Sequence, residues 1–260
     1  MSNINLLFTC PHGGKNDNGS SENPPIIRRT IDNFPADSIC PARDGQGFNN
    51  VNDALTEDLT KAIADNISNL SGKDPYVELA EFNRRWIDYN RKHEGGCAYV
   101  VSPIDPDSSA RDSYKKYHDG ISQKIKEMLP PDSNSLAFLF DIHGTDDEKA
   151  PNGHCIEVII GTDQTRSRQA LTDDFFWGSN GFIPQLDTKG IPAYPENLCQ
   201  ERESHSLDGG YTVKTYASSR LVAIQIEVIH RIRNNRHRRE QFAADLAECI
   251  LNFVKPLGIF

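Results

Sequence analysis

The sequence has no apolar run close to the ~18 residues that a membrane-spanning helix needs, although hydrophobic residues make up 37% of it. Its first residues, "MSNINLLFTC", also lack a basic segment followed by a long apolar core. We therefore expect no membrane span and no secretory leader. With a mean hydropathy of −0.57, the composition predicts a soluble protein with long loops.

Positive charge is scarce, with 28 lysines and arginines against 37 aspartates and glutamates. The formal net charge of −9 argues against a protein that binds the phosphate backbone of nucleic acids, because such binding needs a basic surface. One basic run, "HRIRNNRHRR" at 230–239, has two interpretations. It is a local patch for an anion or the solvated start of a helix, and we favour the helix.

No CxxC pair occurs among the six cysteines, which are scattered along the chain. Several lie in apolar segments, as buried free thiols do. Free thiols indicate a reducing compartment, so we expect the protein in the cytoplasm.

Short apolar runs alternate with helical patterns along the chain. The runs predict strands at 4–9, 97–102, 136–142, 155–161 and 221–229, and a more alternating strand nearer a sheet edge at 75–82. Amphipathic stripes predict helices at 53–70, 112–129 and 241–254. This order predicts a single α/β domain over residues 1–260, with three layers and a mixed, mainly parallel central sheet flanked by helices.

Two long polar stretches interrupt this alternation, at 13–52 and 195–210. Loops of this length are either functional or disordered. Because the first directly follows "CPHGG", we expect it to lie over a site.

Two histidines share one structural context. His12 follows the strand "INLLFT", and His143 ends the strand "LAFLFDIHG". Both should lie at the carboxyl end of a strand, where open α/β sheets place their ligand crevice. Asp141 and His143 point to the same side because side chains alternate along a strand, so Asp141 could support a metal-binding imidazole through a hydrogen bond. Each histidine taken singly is an ordinary polar residue, whereas the pair favours a metal site.

A catalytic zinc usually has three protein ligands and an open position for water. Asp53, at the start of the first helical pattern, is the leading candidate for the third. The alternative is that Asp53 caps the helix, and a first-turn aspartate could do both.

The segment "EFNRRWIDYNR" at 81–91 is rich in arginine and aspartate. One interpretation is a solvated turn with internal ion pairs. The other is a substrate-binding segment, since the planar guanidinium group is suited to gripping a carboxylate.

Glu227 lies inside the apolar strand "LVAIQIEVI". A buried carboxylate is costly and has a raised pKa, as a general base that activates a metal-bound water requires. The alternative is a structural ion pair with a nearby arginine. We favour the base, because Gln225 and Glu227 lie on one side of the strand.

The ordered motifs "CPHGG", "DALTEDL", "NRRWIDYNR", "YKKYH", "FDIHG", "IGT", "GGYTVKTY" and "VAIQIEV" span residues 8–228. In this order the sequence resembles the N-formylglutamate amidohydrolases, within the zinc-carboxypeptidase-like α/β hydrolases. It departs from them in having glycine after His12, a long loop at 13–52 and no HxxE motif, because Lys15 stands three residues after His12.

The resemblance implies one zinc ion held by His12, Asp53 and His143, with Glu227 as the catalytic base. It also implies a set of substrate-binding residues, namely Arg85, Asp88, Asn90, Arg91, Gly209, Gly210 and Tyr211.

The resulting hypothesis is a zinc-dependent amidohydrolase of small anionic N-acyl amino acids. Asp141 would support His143 in catalysis, and Arg85 and Arg91 would hold the substrate's carboxylates. We expect no nucleic-acid or membrane partner. Two rival hypotheses are a binding protein that keeps the fold without catalysis, and a structural protein whose histidines are incidental.

Overall fold

A computed structural model describes residues 4–16, 26, 29, 51–93, 97–100, 109–147, 155–164, 166–195 and 207–259. Most of the predicted loop 13–52 lies outside the described residues, as does 196–206 of the second loop.

Six strands and seven helices make up the described fold. The strands are β1 (Leu6–Cys10), β2 (Tyr76–Leu79), β3 (Ala137–Thr145), β4 (Val158–Gly161), β5 (Ala193–Tyr194) and β6 (Leu221–Ile229). The helices are α1 (Thr56–Ser71), α2 (Ser109–Met128), α3 (Asp173–Trp177), α4 (Phe182–Thr188), α5 (Tyr211–Tyr216), α6 (His230–Arg233) and α7 (Arg236–Val254).

The strands form one sheet in the order β2-β1-β3-β6-β4-β5. Neighbouring strands run parallel except β4 and β6, which are antiparallel. The predicted mixed, mainly parallel sheet is therefore confirmed. The segment 75–82 contains an edge strand, as its alternating pattern indicates.

Alternation along the central strands divides the core into two layers. Even-numbered residues such as Phe8, Phe140 and Ile224 pack with α1, α4 and α7 on one face. Odd-numbered residues such as Leu139 and Ala223 pack with α2 and α5 on the other. The sheet lies between helices on both faces, so the three-layer prediction is also confirmed. This arrangement explains why β1, β3 and β6 are nearly continuous apolar runs at the sequence level.

The predicted strand at 97–102 is wrong over its described part, because 97–100 form bends and irregular backbone. Residues 101 and 102 lie outside the described residues. Cys97 has a left-handed φ of 60°, a conformation that ends a regular strand.

The cysteines are not all free thiols. Cys10 and Cys249 are buried and free, and Cys155 is free and exposed. Cys97 is disulfide-bonded, so the expectation of free cysteines is wrong at this position. The cytoplasmic location inferred from them stays a prediction. Among the helices of the described residues, none is both long and apolar enough to cross a membrane.

Phe140 provides a test of the core. It is fully buried, and its ring lies 5.5 Å from that of Phe8 and 5.9 Å from that of Phe182. We expect Phe140→Ala to lower the free energy of unfolding by about 3–5 kcal/mol, through lost burial and a residual cavity. Urea denaturation measures this loss. Leu70→Ala is the control, because Leu70 is 57% exposed, and it should change stability by no more than about 0.5 kcal/mol. Equal losses would contradict this description of the core.

Candidate metal centre

The polar residues of the site lie at the carboxyl ends of three adjacent parallel strands. His12 follows β1, His143 lies near the end of β3, and Glu227 lies near the end of β6. In the register of β3 and β6, His143 is opposite Glu227 and Asp141 is opposite Gln225. Because paired residues of parallel strands share a face, these four side chains lie together.

Along β3 and β6, the side chains on the odd-numbered face change from apolar to polar. Leu139 and Ala223 belong to the core, whereas the polar residues begin two positions further on. The predicted common orientation of Asp141 and His143 is confirmed by the 2.9 Å between Asp141 Oδ2 and His143 Nε2. The hydroxyl of Thr9 on β1 donates to the other oxygen, Asp141 Oδ1, at 2.5 Å.

Asp53 lies between the two histidines. Its Oδ2 is 3.3 Å from Nδ1 of His12 and 3.3 Å from Nδ1 of His143. The potential ligand atoms of these three buried residues all lie within 4.8 Å of one another. Two imidazole nitrogens and one carboxylate form a donor set that zinc accepts. The three residues therefore could hold a metal ion.

Asp53 does not cap α1. The residue in the cap position is Leu55, and the carboxylate of Asp53 instead accepts the backbone N–H of Gly144 at 3.0 Å. The backbone of Asp53 makes three hydrogen bonds. Its N–H donates to His12 O at 3.1 Å, and its carbonyl accepts from the Thr56 N–H at 3.2 Å and from the Thr56 hydroxyl at 2.6 Å. The capping alternative is therefore wrong, and the carboxylate faces the histidines.

The outer nitrogen of each histidine faces a second carboxylate. His12 Nε2 lies 2.7 Å from Asp88 Oδ1. His143 Nε2 lies 2.9 Å from Asp141 Oδ2. A carboxylate only accepts, so each Nε2 carries a proton, and each Nδ1 faces the Asp53 carboxylate, where a metal ion would take the place of a proton on Nδ1. This pairing orients metal-binding imidazoles in known metal sites.

The charges of the site shift its pKa values strongly. Burial lowers the pKa of His143, but the negative charges of Asp141 and Glu227 outweigh burial and raise that pKa well above its usual value. Burial likewise raises the pKa of Asp53, and the two histidines outweigh it and lower that pKa. Each partner thus stabilises the charged form of the other. A divalent cation would satisfy the same carboxylates in place of the imidazole protons.

Glu227 lies beside this centre and is held by Gln225. The Gln225 Nε2 donates to Glu227 Oε1 at 2.9 Å, and Gln225 Oε1 accepts the Gly210 N–H at 2.6 Å. Burial raises the pKa of Glu227 to about 7, although the nearby His143 acts to lower it. A carboxyl with a pKa near neutrality is suited to both taking and giving a proton.

A cavity of about 810 Å³ opens over these residues. Of the predicted substrate-binding residues, Asn90, Arg91 and Gly210 line it. Arg85, Asp88, Gly209 and Tyr211 are not among its described lining residues, and their binding role stays a prediction.

Asp88 and Gly209 have clear structural surroundings. Asp88 is fully buried behind His12, where Arg84 Nε donates to its Oδ2 at 2.9 Å. Gly209 has a φ of +119°, which side-chain-bearing residues rarely adopt. It sets the turn that brings the Gly210 N–H to Gln225.

Two buried arginines, Arg84 and Arg233, also line the cavity. The sequence alone did not assign either of them to the site. Arg84 was part of the arginine-rich segment, but nothing in "NRRW" tells which arginine points inwards. Arg233 lies in the basic run 230–239, which was interpreted as solvated. Arg233 stands six residues after Glu227 in the sequence, and this proximity is the feature that could have indicated a place near the site.

Comparison with solved structures places this architecture among known folds. Over 99% of the chain and 95% of the other chain, the structure matches an N-formylglutamate amidohydrolase from Ralstonia eutropha JMP134, with a TM-score of 0.60 and 13% identity. The chain has the fold of this amidohydrolase. It also matches the gene product Atu2144 from Agrobacterium tumefaciens over 98% of this chain and 91% of that one, with a TM-score of 0.57 and 15% identity.

No protein-family model matches the sequence, and the search of curated proteins gives no match. The resemblance that the motifs indicated is therefore confirmed through the amidohydrolase fold rather than through sequence similarity. At such identities the likeness concerns the fold, and the chemistry has to be argued from the residues of this chain.

Removing either histidine tests the metal centre. We expect His12→Ala and His143→Ala to lose bound zinc, because each removes one of three converging donors. Metal analysis after dialysis against zinc-free buffer measures this. His237→Ala is the control, since His237 is exposed on α7 and should keep the metal. Undiminished zinc in both site variants would contradict the assignment.

Proposed function

We propose that the protein is a metal-dependent amidohydrolase that cleaves the amide bond of small, acidic N-acyl amino acids of the N-formylglutamate type. The observation that carries this proposal is the convergence of His12, Asp53 and His143 beside Glu227 at one end of the sheet. The fold shared with an N-formylglutamate amidohydrolase supports it.

The donor set fits zinc. Both Nδ1 atoms and the Asp53 carboxylate converge in a buried site, and both outer nitrogens are held by carboxylates. When bound there, a zinc ion supplies Lewis acidity to the scissile carbonyl and lowers the pKa of water. His12, Asp53 and His143 would hold it, and all three line the cavity, from which substrate and water would reach it.

In this proposal Glu227 moves the protons. It takes a proton from the attacking water and delivers it to the nitrogen of the leaving amine, so that the amide C–N bond breaks and a carboxylate and an amine form. Gln225 holds one oxygen of Glu227 by a hydrogen bond, which leaves the other oxygen for the water. Asp141 keeps the imidazole of His143 in the required tautomer.

Arginines at the cavity would bind the substrate's carboxylates. Arg91 lines the cavity with its side chain 34% exposed, so its guanidinium group is accessible to a ligand. Arg84 is more buried and is already bonded to Asp88, so it contributes charge rather than a free fork of donors. In a protein of net charge −9, such local cations are needed to attract an anion.

Glu227→Gln tests the chemistry. The amide cannot take a proton, so we expect kcat for N-formylglutamate to fall by ~10²–10⁴-fold while zinc content stays at the wild-type level. Steady-state kinetics and metal analysis on the same preparation measure the two quantities. Glu157→Gln is the control, because Glu157 is a partly buried glutamate outside the described lining of this cavity. Wild-type kcat in Glu227→Gln would rule out this base.

Arg91→Ala and Arg85→Ala test which neighbouring arginine binds the substrate. We expect Arg91→Ala to raise KM for N-acyl glutamates with little change in kcat, since binding common to the ground and transition states is lost. Arg85→Ala should leave both constants near wild type. Kinetics with an N-acyl amino acid amide that has an uncharged side chain form the control, because this substrate has no carboxylate and neither variant should affect its hydrolysis. A raised KM in Arg85→Ala alone would assign the carboxylates to Arg85, and a raised KM in both variants would support the pair of arginines that the sequence predicts.

The second candidate is a binding protein that uses the same arginines to hold an acidic ligand without hydrolysis. The buried cationic side chains at the cavity are compatible with it. A panel of N-acyl amino acids assayed with zinc-loaded protein separates the two, because only the amidohydrolase releases the free amino acid.

A further inference from the structure

Arg233 ends the short helix α6, directly after β6, and is only 4% exposed. It belongs to the basic run 230–239, yet its guanidinium group points into the protein and lines the cavity. Burying a charged side chain is costly unless its donors are satisfied. The partners that satisfy it therefore indicate what it does.

All three nitrogens of the Arg233 guanidinium group donate to backbone carbonyls. Nε donates to Val228 O at 2.9 Å, Nη2 donates to Thr145 O at 2.9 Å, and Nη1 donates to Ala54 O. These carbonyls come from three segments that are far apart in sequence. One planar group thus joins the end of β3, the end of β6 and the segment before α1.

Each of these carbonyls lies next to a residue of the proposed site. Ala54 follows Asp53, Val228 follows Glu227, and Thr145 is two residues beyond His143. The three segments that carry the third metal ligand, the base and a histidine ligand are therefore held by one side chain. The planar guanidinium group of an arginine holds its donors in a fixed fork, whereas the ammonium group of a lysine is a compact charge on a flexible stem.

Gly144 completes the arrangement. A Cβ atom built on Gly144 would lie 2.3 Å from Cζ of Arg233, so the guanidinium group occupies the space of a side chain. The N–H of the same Gly144 donates to Oδ2 of Asp53 at 3.0 Å. Gly144 thus contacts the Arg233 guanidinium group on one side, and its N–H holds the Asp53 carboxylate beside the two histidines.

We propose that Arg233 is a positioning residue that holds Asp53, His143 and Glu227 in register by bridging the backbone of their three segments. The inference rests on the proposed metal-dependent function and assigns Arg233 no contact with substrate. Its three bonds to carbonyls distinguish it from Arg91, whose side chain is more accessible.

Zinc affinity measured by competition with a chromogenic chelator tests this role without an activity assay. We expect Arg233→Ala and Arg233→Lys to bind zinc at least ~10-fold more weakly than wild type, the range found when groups that orient metal ligands are removed. Arg236→Ala is the matched control, because Arg236 lies in the same basic run, is 84% exposed and pairs with Glu240. It should bind zinc as wild type does.

The thermal midpoint of the metal-free proteins separates positioning from general stability. Arg233→Lys keeps the charge and should remain folded at the temperature of the zinc assay, although with a lower midpoint, while losing zinc affinity. The visible spectrum of the cobalt-substituted protein should change in the same variant, because it reports the geometry of the ligands. If Arg233→Lys lowers the midpoint but keeps wild-type zinc affinity and cobalt spectrum, Arg233 is a structural residue only.

Gly144→Ala provides an independent test through a double-mutant cycle. The added methyl group must displace the guanidinium group, so Gly144→Ala alone should weaken zinc binding at least ~10-fold by the same mechanism. In the Arg233→Ala background it should weaken binding much less, because contacting residues are not additive. Additive losses of zinc affinity in the cycle would overturn the inference. If Arg233→Ala does not fold, wild-type zinc affinity in Arg233→Lys would overturn it instead. Wild-type protein that binds no zinc would instead overturn the proposed function, and this inference with it.

Discussion

The Asp53 carboxylate is the point on which the arrangement of the site depends. One oxygen, Oδ2, is shared by Nδ1 of His12, Nδ1 of His143 and the N–H of Gly144. A buried carboxylate is costly unless its lone pairs are satisfied, and these contacts come from the loop after β1 and from the end of β3. The interaction therefore joins the segment before α1 to the centre of the sheet, and any shift of that segment would leave a charge unpaired.

Around this carboxylate, histidines and further acidic residues alternate outwards. His12 lies between Asp53 and Asp88, and His143 lies between Asp53 and Asp141. Beyond them Arg84 neutralises Asp88, and the Thr9 hydroxyl donates to Asp141. Removing one member of such a network is more damaging than its net contribution suggests, since its neighbours remain buried without a partner. The sheet supplies a rigid frame for part of this network, because Thr9 lies on β1 and Asp141 and His143 lie on β3, and these two strands are paired.

Much of the architecture was predictable from local patterns. Continuous apolar runs at β1, β3 and β6 indicate strands covered on both faces, and the stripe of Leu59, Ile63 and Ile67 indicates a helix lying on the sheet. The segment at 97–100 was mispredicted, because an apolar run of this length has no unique conformation. There, Cys97 has a left-handed φ of 60°, and hydrophobic periodicity does not predict a backbone conformation of this kind.

By itself the sequence determined five of the six described strands, the three long helices α1, α2 and α7, and the position of His12, His143 and Glu227 at strand ends, since these follow from short-range periodicity. It also determined that Asp141 shares a side with His143.

Only the tertiary structure decided that Asp53 turns towards the histidines instead of capping α1. It also decided that Asp88 lies behind His12, and that Arg84 rather than Arg85 lines the cavity. The same holds for Arg233, which a run of basic residues concealed. These choices depend on contacts between segments as much as 179 residues apart, as from Arg233 to Ala54. Such contacts form only once the sheet has brought those segments together, so no local pattern contains them.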